Sequence, residues 1–195
     1  MQSVLAFLAL LLPLTLSPGP ATIALAGLGM NRGIVRSMPF FSGLLISAFG
    51  IAVASGMGLN AVFLAYPTAY QILRYAGICY IFYLAWKFLR ARPSISDSAD
   101  GEFRVLDGML LTVLNPKFYL VVTVLFSQFL KPGQGALWAV IFGLTAVLAV
   151  SQFVWLAAGA GIKPLLKSET ALRIQSRVFG VLLLLVAAFM LLRPS

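Results

Sequence analysis

The chain contains no histidine and a single cysteine, Cys79, among its 195 residues. A lone cysteine excludes a disulfide framework and paired-thiol redox chemistry, and the lack of histidine removes a common ligand of zinc and copper sites. Acidic residues are also scarce, since Asp and Glu together number 5 against 14 Lys and Arg. We therefore expect no metal site, no cofactor and no enzyme chemistry of the kind that depends on carboxylates, histidines or metals.

Charged residues of either sign make up only 10% of the chain, whereas 61% of its residues are hydrophobic and its mean hydropathy is +1.01. Soluble domains are about 45–50% apolar and about 25% charged, so this excess of apolar side chains needs lipid to face. The net charge of +9 does not indicate a nucleic-acid partner, because Lys and Arg stand singly between apolar runs without interleaved aromatic residues. The composition predicts a membrane protein in contact with the lipid bilayer.

Long apolar runs predict six membrane-spanning helices, because about 20 apolar residues suffice to cross the bilayer as a helix. The turn signals Tyr66-Pro67 and Lys131-Pro132-Gly133 separate neighbouring runs. We predict an all-α, single membrane domain over 1–195, with one repeat half at 1–92, an acidic, solvated cytoplasmic connector at 93–107 and a second repeat half at 108–195. The predicted spans are 1–31, 38–63, 68–89, 108–130, 135–161 and 178–192.

Lys and Arg are concentrated in the connectors that follow the first, third and fifth predicted spans. Because such residues favour the cytoplasmic side of a membrane, we predict that these connectors are cytoplasmic and that both termini lie outside. The cytoplasmic set comprises Arg32, Arg36, Lys87, Arg90, Arg92, Arg104, Lys163, Lys167, Arg173 and Arg177, against Arg74, Lys131 and Arg193 on the opposite side.

Proline motifs interrupt the first and fourth predicted spans, at Ser17-Pro18-Gly19-Pro20 and at Asn115-Pro116-Lys117. Proline lacks an N–H and clashes with the carbonyl one turn back, so each motif is expected to break its helix. In hydrocarbon the freed carbonyls must face protein, water or a substrate. Three spans per half insert the second half upside down, and helix breaks at corresponding positions of inverted repeats indicate a transporter binding site. The alternative for each motif is a packing kink.

Lys117 is the main candidate for substrate binding, because a charge near mid-helix costs at least about 2.5–3.5 kcal/mol on insertion scales and needs a partner. That partner is either a carbonyl freed at a break or a substrate carboxylate. The alternatives are a lysine that snorkels to the interface or closes the break structurally. The complete predicted substrate site comprises Ser17, Pro18, Gly19, Pro20, Asn115, Pro116, Lys117, Tyr80 and Gln152.

Roles other than substrate binding remain open for three of these residues. Asn115 either caps the second helix after the break or contacts the substrate through its amide. Tyr80 and Gln152 either line a path or make packing hydrogen bonds within the bundle.

Several other residues are expected to be structural. Gly43 and Gly50 lie seven positions apart and predict a close helix-packing face. Cys79 is interpreted as a small packing residue. Arg74, about two turns into its span, is expected to anchor at the interface. An interfacial belt is predicted at Tyr83, Trp86 and Lys87.

With these residues in place, the sequence resembles the LysE/RhtB family of small amino-acid exporters. The resemblance rests on the total length, the six spans, both proline motifs and the third span at 73–87, with Gly77 and Tyr80 in the expected places. Ala21 stands where members often carry a polar or acidic residue, and Ser127-Gln128-Phe129 stands where many carry Pro-Gln-Phe. The resemblance implies export of amino acids or their derivatives across a bacterial inner membrane, driven by an ion gradient. In such a membrane, the outside position predicted for both termini from the Lys and Arg count is periplasmic.

The leading hypothesis is a secondary transporter that exports amino acids or related small metabolites by alternating access, one three-helix half rocking against the other. A lone cationic residue favours binding of a carboxylate, and no intramembrane acid is present to bind a cationic side chain, so we expect neutral amino acids rather than lysine or arginine. A metal-ion or other small-solute exporter on a related scaffold is the alternative, and a membrane-embedded enzyme is a weaker one. The substrate, the coupling ion (a proton is one candidate) and a homo-oligomeric state are left open by the sequence.

Overall fold

The computed structural model describes residues 2–59, 65–90, 103–130, 136–162, 164 and 168–192. Within these ranges the chain is helical and contains no β-strand, which confirms the all-α class. The described helices are α1 (Gln2–Leu16), α2 (Pro20–Gly56), α3 (Pro67–Arg90), α4 (Val105–Val113), α5 (Pro116–Phe129), α6 (Leu137–Ile162) and α7 (Glu169–Leu192).

Four of these helices, α2, α3, α6 and α7, are long and apolar enough to cross a membrane. The pair α4 and α5 meets the same criterion when taken together, with a bend of 62° between them, and α1 is a shorter apolar helix. The third and fifth predicted spans agree with α3 and α6 to within two residues at each end. The chain is thus a multi-pass membrane protein by the length and composition of its helices.

α2 is divided by a kink at Gly33, although its helical hydrogen bonding continues on both sides. Gly33 has φ 79° and ψ −179°, a combination that essentially only glycine adopts. The hydroxyl of Ser37 donates to the Gly33 carbonyl over 2.7 Å. The kink separates the regions predicted as the first and second spans. The predicted second span continues to residue 63, whereas α2 ends at Gly56, and 60–64 lie outside the described residues.

The predicted acidic connector at 93–107 is shorter in the structure, because its last residues are helical. α4 already begins at Val105, and Asp107 lies in its first turn rather than in a solvated loop. The Asp107 carboxylate accepts the Arg104 backbone N–H at 2.9 Å and lies 3.4 Å from Lys87 Nζ. A carboxylate is favoured there by the unpaired N–H groups of a helix start. Residues 91–102 of this region lie outside the described part.

Two other predicted connectors either differ from the structure or lie outside its described part. α7 begins at Glu169, so Arg173 and Arg177 belong to a helix rather than to a connector, and Arg173 lies 3.7 Å from Glu169. The predicted turn at 131–133, together with Lys163, Lys167 and Arg193, lies outside the described residues.

The two sequence halves interleave in the bundle. α2 packs most extensively against α6 and next against α4, whereas α3 packs mainly against α7. Within the described residues the backbones of α2 and α3, neighbours in sequence, approach each other at few positions, although the Phe88 side chain of α3 lies against Gly27 of α2. The first half is therefore not a separate three-helix body, and we call α3 and α7 together the α3–α7 pair.

Glycine allows the closest helix approaches. A Cβ on Gly159 of α6 would collide with the backbone carbonyl of Ala26, and one on Gly43 of α2 with that of Val105. The packing prediction is thus confirmed for Gly43. It is wrong for Gly50, where an added Cβ would meet nothing within 4 Å.

Cys79 is exposed and does not pack in the interior as predicted. Tyr83 and Trp86 stack on each other and are also about half exposed, as in an interfacial belt.

Candidate functional site

The first proline motif separates two helices. α1 ends at Leu16 and α2 begins at Pro20. Pro18 and Pro20 have no N–H to donate, and the Gly19 N–H donates to the Thr22 hydroxyl over 2.7 Å instead of to the preceding turn. The carbonyls at the end of α1 therefore lose their helical donors.

Side chains replace the missing donors at this first break, as an apolar environment demands. Two of these side chains come from α6 and one from the start of α5. The hydrogen bonds are Ser17 Oγ to Leu14 O (3.0 Å), Gln152 Nε2 to Thr15 O (3.3 Å), Trp155 Nε1 to Leu16 O (3.3 Å) and Lys117 Nζ to Ser17 O (3.1 Å) and Ser17 Oγ (2.7 Å).

The second proline motif is closed in the same manner but from nearby residues. α4 ends at Val113 and α5 begins at Pro116. The Asn115 side-chain oxygen accepts the Lys117 backbone N–H over 3.1 Å, and the Tyr119 hydroxyl donates to the Val113 carbonyl over 2.8 Å. Of the two predicted roles for Asn115, the structure therefore shows the helix cap.

The two breaks meet, and Lys117 joins them. Its backbone begins α5 beside the second break, while its ammonium group reaches the Ser17 carbonyl and hydroxyl at the first. An added Cβ on Gly19 would lie 3.3 Å from Lys117 Nζ, so alanine at this position would require the ammonium group to shift by a few tenths of an ångström.

Two cavities open on either side of this junction and share Gly19, Pro20, Asn115 and Lys117 in their walls. The smaller has a volume of about 50 Å³. The larger has a volume of about 440 Å³ and lies between the breaks and the α3–α7 pair. That volume is within the range of small-molecule sites, about 300–1,000 Å³. Polar side chains that line only the smaller cavity are Thr15, Thr22, Thr112 and Gln152.

Positive charge dominates both cavities. Lys117 is the charged residue among the described ones that line the smaller cavity, and Arg74 accompanies it in the larger. None of the described lining residues is acidic. Arg74 is only 9% exposed and donates to the Met190 carbonyl over 2.7 Å. Its side chain therefore faces α7 and the larger cavity, and interface anchoring of Arg74 stays a prediction.

Most of the predicted site residues come together. The two proline motifs meet directly, and Gln152 contacts the first through the Thr15 carbonyl. Tyr80 lies elsewhere, since its hydroxyl donates to the Asp107 carbonyl over 2.9 Å and it lines neither cavity. Sequence reasoning missed Trp155. The available signal was its position three residues after Gln152, on the same face of α6.

Comparison with known proteins identifies the family. The sequence model of the LysE type translocator family matches residues 12–193. The chain belongs to the LysE type translocator family. Members of this family are transporters rather than enzymes, so the interrupted helices and the cavities belong to a membrane transporter of small molecules.

Several relatives are described as efflux proteins. The homoserine/homoserine lactone efflux protein of Salmonella typhimurium is 26% identical over 185 residues, covering 91% of this chain and 90% of the relative. The leucine efflux protein of Enterobacter sp. is 23% identical over 186 residues, covering 90% and 88% respectively. An uncharacterized membrane protein of Pseudomonas aeruginosa is 26% identical over 156 residues, 72% of either chain. No solved structure shows a significant match.

Proposed function

We propose that this translocator exports neutral amino acids across the bacterial inner membrane by alternating access, and that substrate binds where the two proline motifs meet. The observation that supports this most directly is the contact from Lys117 Nζ to Ser17 O and Oγ, on the shared wall of both cavities. The substrates named for two relatives, homoserine and leucine, are both amino acids with uncharged side chains.

The Lys117–Ser17 contact has the chemistry to exchange partners with an amino acid. A substrate carboxylate replaces Ser17 as the acceptor for the Lys117 ammonium group, which forms a stronger, charge-assisted hydrogen bond. The Ser17 carbonyl released in this way accepts the substrate ammonium group. Each buried polar group keeps a partner throughout, so the exchange avoids the penalty for an unpaired group in an apolar site.

The same site disfavours cationic side chains. A lysine or arginine substrate would bring a second positive charge into cavities whose described walls hold cations and no carboxylate. Like charges in a site of low dielectric repel strongly. A metal-ion exporter gains no support either, since the described residues contain no group of three or more His, Cys, Asp or Glu able to hold a metal ion.

We propose six spans arranged as an inverted repeat. α1 forms one span with the part of α2 before Gly33, α2 after Gly33 forms the second, and α4 with α5 forms the fourth. The cytoplasmic side is then the end that carries Arg32, Lys87 and Arg104, and both termini are periplasmic. Activity of alkaline phosphatase fused to the C-terminus, which requires export of the enzyme, would support this orientation. Inactivity of a stably expressed fusion would contradict it.

The interleaved packing indicates which bodies move during transport. The larger cavity lies between the α3–α7 pair and the helices that carry the two breaks. We propose that the α3–α7 pair moves against the remaining helices, rather than one sequence half against the other, because that relative displacement would open or close this cavity.

Transport by Lys117→Ala tests the proposed site. In proteoliposomes that contain purified protein, we expect wild-type exchange of L-homoserine or L-leucine and little exchange of L-lysine. Loss of a hydrogen bond to a charged group costs about 1.5–3 kcal/mol, so Lys117→Ala should lower exchange about 10- to 100-fold. Radiolabelled substrate uptake provides the measurement.

Lys87→Gln is the matched control. It removes another partly buried lysine, which pairs with Asp107 and lines neither cavity. We expect it to retain near wild-type exchange. Equal rates for wild type and a correctly folded Lys117→Ala variant would refute the assigned role of Lys117. A wild-type protein that moves none of these amino acids would refute the proposed substrate class.

A further inference from the structure

Gln152 of α6 carries a buried hydrogen-bond acceptor that the first helix break does not use. Its side-chain nitrogen donates to the Thr15 carbonyl over 3.3 Å. The other polar atom of the amide, Oε1, is buried without a hydrogen-bond partner among the described residues, and the residue as a whole is only 3% exposed. A buried acceptor that lacks a donor carries a desolvation penalty, which a donor on a ligand would remove.

The surroundings of Gln152 show which kind of group is missing. Gln152 lies in the wall of the smaller cavity together with Thr15, Thr22 and Thr112. The hydroxyl group of each threonine donates to a backbone carbonyl one turn earlier in the chain. A hydroxyl group has one proton to donate, so none of the three satisfies Gln152 Oε1 as well. Within the described part of this wall, the unmet requirement is therefore a donor.

The size and charge of the smaller cavity limit what supplies that donor. Its volume of about 50 Å³ corresponds to about three to five water-sized groups, at about 10–15 Å³ for each. A short side chain fits into this space, whereas a complete amino acid does not. Lys117 lies in the same wall and none of the described lining residues is acidic. A neutral donor such as a hydroxyl group is therefore favoured over a second cation.

The smaller cavity adjoins the place where the rest of the ligand binds in the proposed function. It shares Gly19, Pro20, Asn115 and Lys117 with the larger cavity. The substrate carboxylate is proposed to bind the Lys117 ammonium group, which belongs to this shared wall. A short side chain on the same amino acid then has access to the smaller cavity and to Gln152.

We propose that the smaller cavity is a side-chain subsite of the transport site, in which Gln152 Oε1 accepts a hydrogen bond from a hydroxyl group on a short substrate side chain. This inference rests on the proposed function, since it assumes that the substrate carboxylate binds at Lys117. Within the neutral amino acids, it gives a preference for those whose short side chain ends in a hydroxyl group. Gln152 is thereby a specificity-determining residue and not only a donor to the first break.

Binding of L-homoserine and L-norvaline to the wild-type protein tests the subsite, because norvaline has a methyl group in place of the side-chain hydroxyl. Equilibrium binding to purified protein in detergent is measured by calorimetry. Norvaline leaves Gln152 Oε1 without a donor, so it should bind about 5- to 100-fold more weakly than homoserine. Equal or tighter binding of norvaline overturns the inference, and it is the result expected if a water molecule alone pairs with Oε1.

Gln152→Leu tests whether the preference comes from this residue. Without the acceptor, a buried hydroxyl group would itself lack a partner, so the preference for homoserine should disappear or reverse. A purely structural role of Gln152 would weaken both ligands by the same factor and keep the wild-type ratio, which overturns the inference. Should Gln152→Leu fail to fold, Gln152→Met carries the same comparison, because methionine is unbranched and closer to glutamine in shape.

Gln175→Leu is the matched control. Gln175 of α7 is another buried glutamine, 9% exposed, whose amide nitrogen and oxygen both lack partners in the described part of the chain. It lines neither cavity. The same chemical change there should leave both affinities and their ratio unchanged. Loss of the preference in Gln175→Leu as well as in Gln152→Leu would contradict the assignment to the smaller cavity.

Translocation by the wild type in proteoliposomes gives the proposed function its own readout. Protein that binds with the Gln152-dependent preference but translocates neither amino acid refutes export and leaves the subsite standing. Translocation of both amino acids with equal affinities refutes the subsite and leaves export standing. Failure of the wild type to bind either amino acid overturns both.

Discussion

At the scale of single residues, the first helix break depends on side chains that donate hydrogen bonds to its backbone carbonyls. Four carbonyls at the first break, those of residues 14–17, are each matched by a side-chain donor. Lys117 differs from the other donors, because it brings a full charge to a neutral acceptor and stands on the wall of both cavities. A neutral donor would satisfy the Ser17 carbonyl equally well, so the charge at this position favours a role toward an anionic ligand.

In the Gln152 side chain one polar atom has a partner and the other has none among the described residues. Replacing Gln152 therefore tests its role in transport separately from its contribution to stability. The amide nitrogen donates to the Thr15 carbonyl, but the amide oxygen is buried without a partner among the described residues. Gln152→Leu removes the hydrogen bond to the Thr15 carbonyl, which lowers the free energy of unfolding by about 1–3 kcal/mol. It also removes the unsatisfied amide oxygen, which raises the free energy of unfolding by about 1–3 kcal/mol. We expect nearly unchanged thermal stability in detergent and a clear loss of amino-acid exchange.

Trp155→Phe is the comparison variant for Gln152→Leu. It removes the donor to the Leu16 carbonyl without removing any unsatisfied group, so it should lower stability by about 1 kcal/mol. Normal exchange by a stable Gln152→Leu variant would show that Gln152 only packs.

At the scale of elements, both proline motifs end one helix and begin another. The sequence predicted the two interruptions correctly because proline acts locally, through its missing N–H and the steric demand of its ring. The kink at Gly33 is of the same local kind. Its positive φ with an extended ψ is strained for any residue that carries a Cβ, at a cost of about 1–3 kcal/mol.

Gly33→Ala should therefore destabilise the protein by about 1–3 kcal/mol, because alanine cannot adopt the observed backbone conformation without strain. Thermal unfolding of the purified protein in detergent measures the effect. Gly50→Ala, in the same helix, is the control. Its added methyl group meets nothing within 4 Å, and alanine favours helix, so its stability should be equal or slightly higher. Equal stabilities for Gly33→Ala and Gly50→Ala would contradict the strained kink.

At the scale of the whole molecule, chain order and packing order differ. α2 packs on α6 and α4 from the other half of the sequence, and α3 packs on α7. The larger cavity follows the boundary between these two groups of helices. Movement of the α3–α7 pair against the remaining helices would open or close the cavity without breaking the contacts within either group.

Distances between spin labels test this movement. In a Cys79→Ser background, labels at the exposed residues Trp138 of α6 and Leu192 of α7 should change separation by several ångströms when saturating L-homoserine or L-leucine is added. Labels at Ile72 of α3 and Leu192 of α7 should keep their separation, because both lie within the pair. Change in the second distance and not in the first would contradict the proposed moving body.

The sequence by itself determined the membrane environment, the helical class, both helix breaks and the identity of Lys117 as a partly buried cation within the bundle. These follow from composition and from the local properties of proline and charge, which act within a few residues. Only the tertiary structure decided that Lys117 reaches Ser17, that Arg74 faces a cavity, that Tyr80 belongs with Asp107 and that α3 pairs with α7. Those facts depend on which helix faces meet, and in a chain that is apolar on nearly every face, periodicity carries little information about that choice.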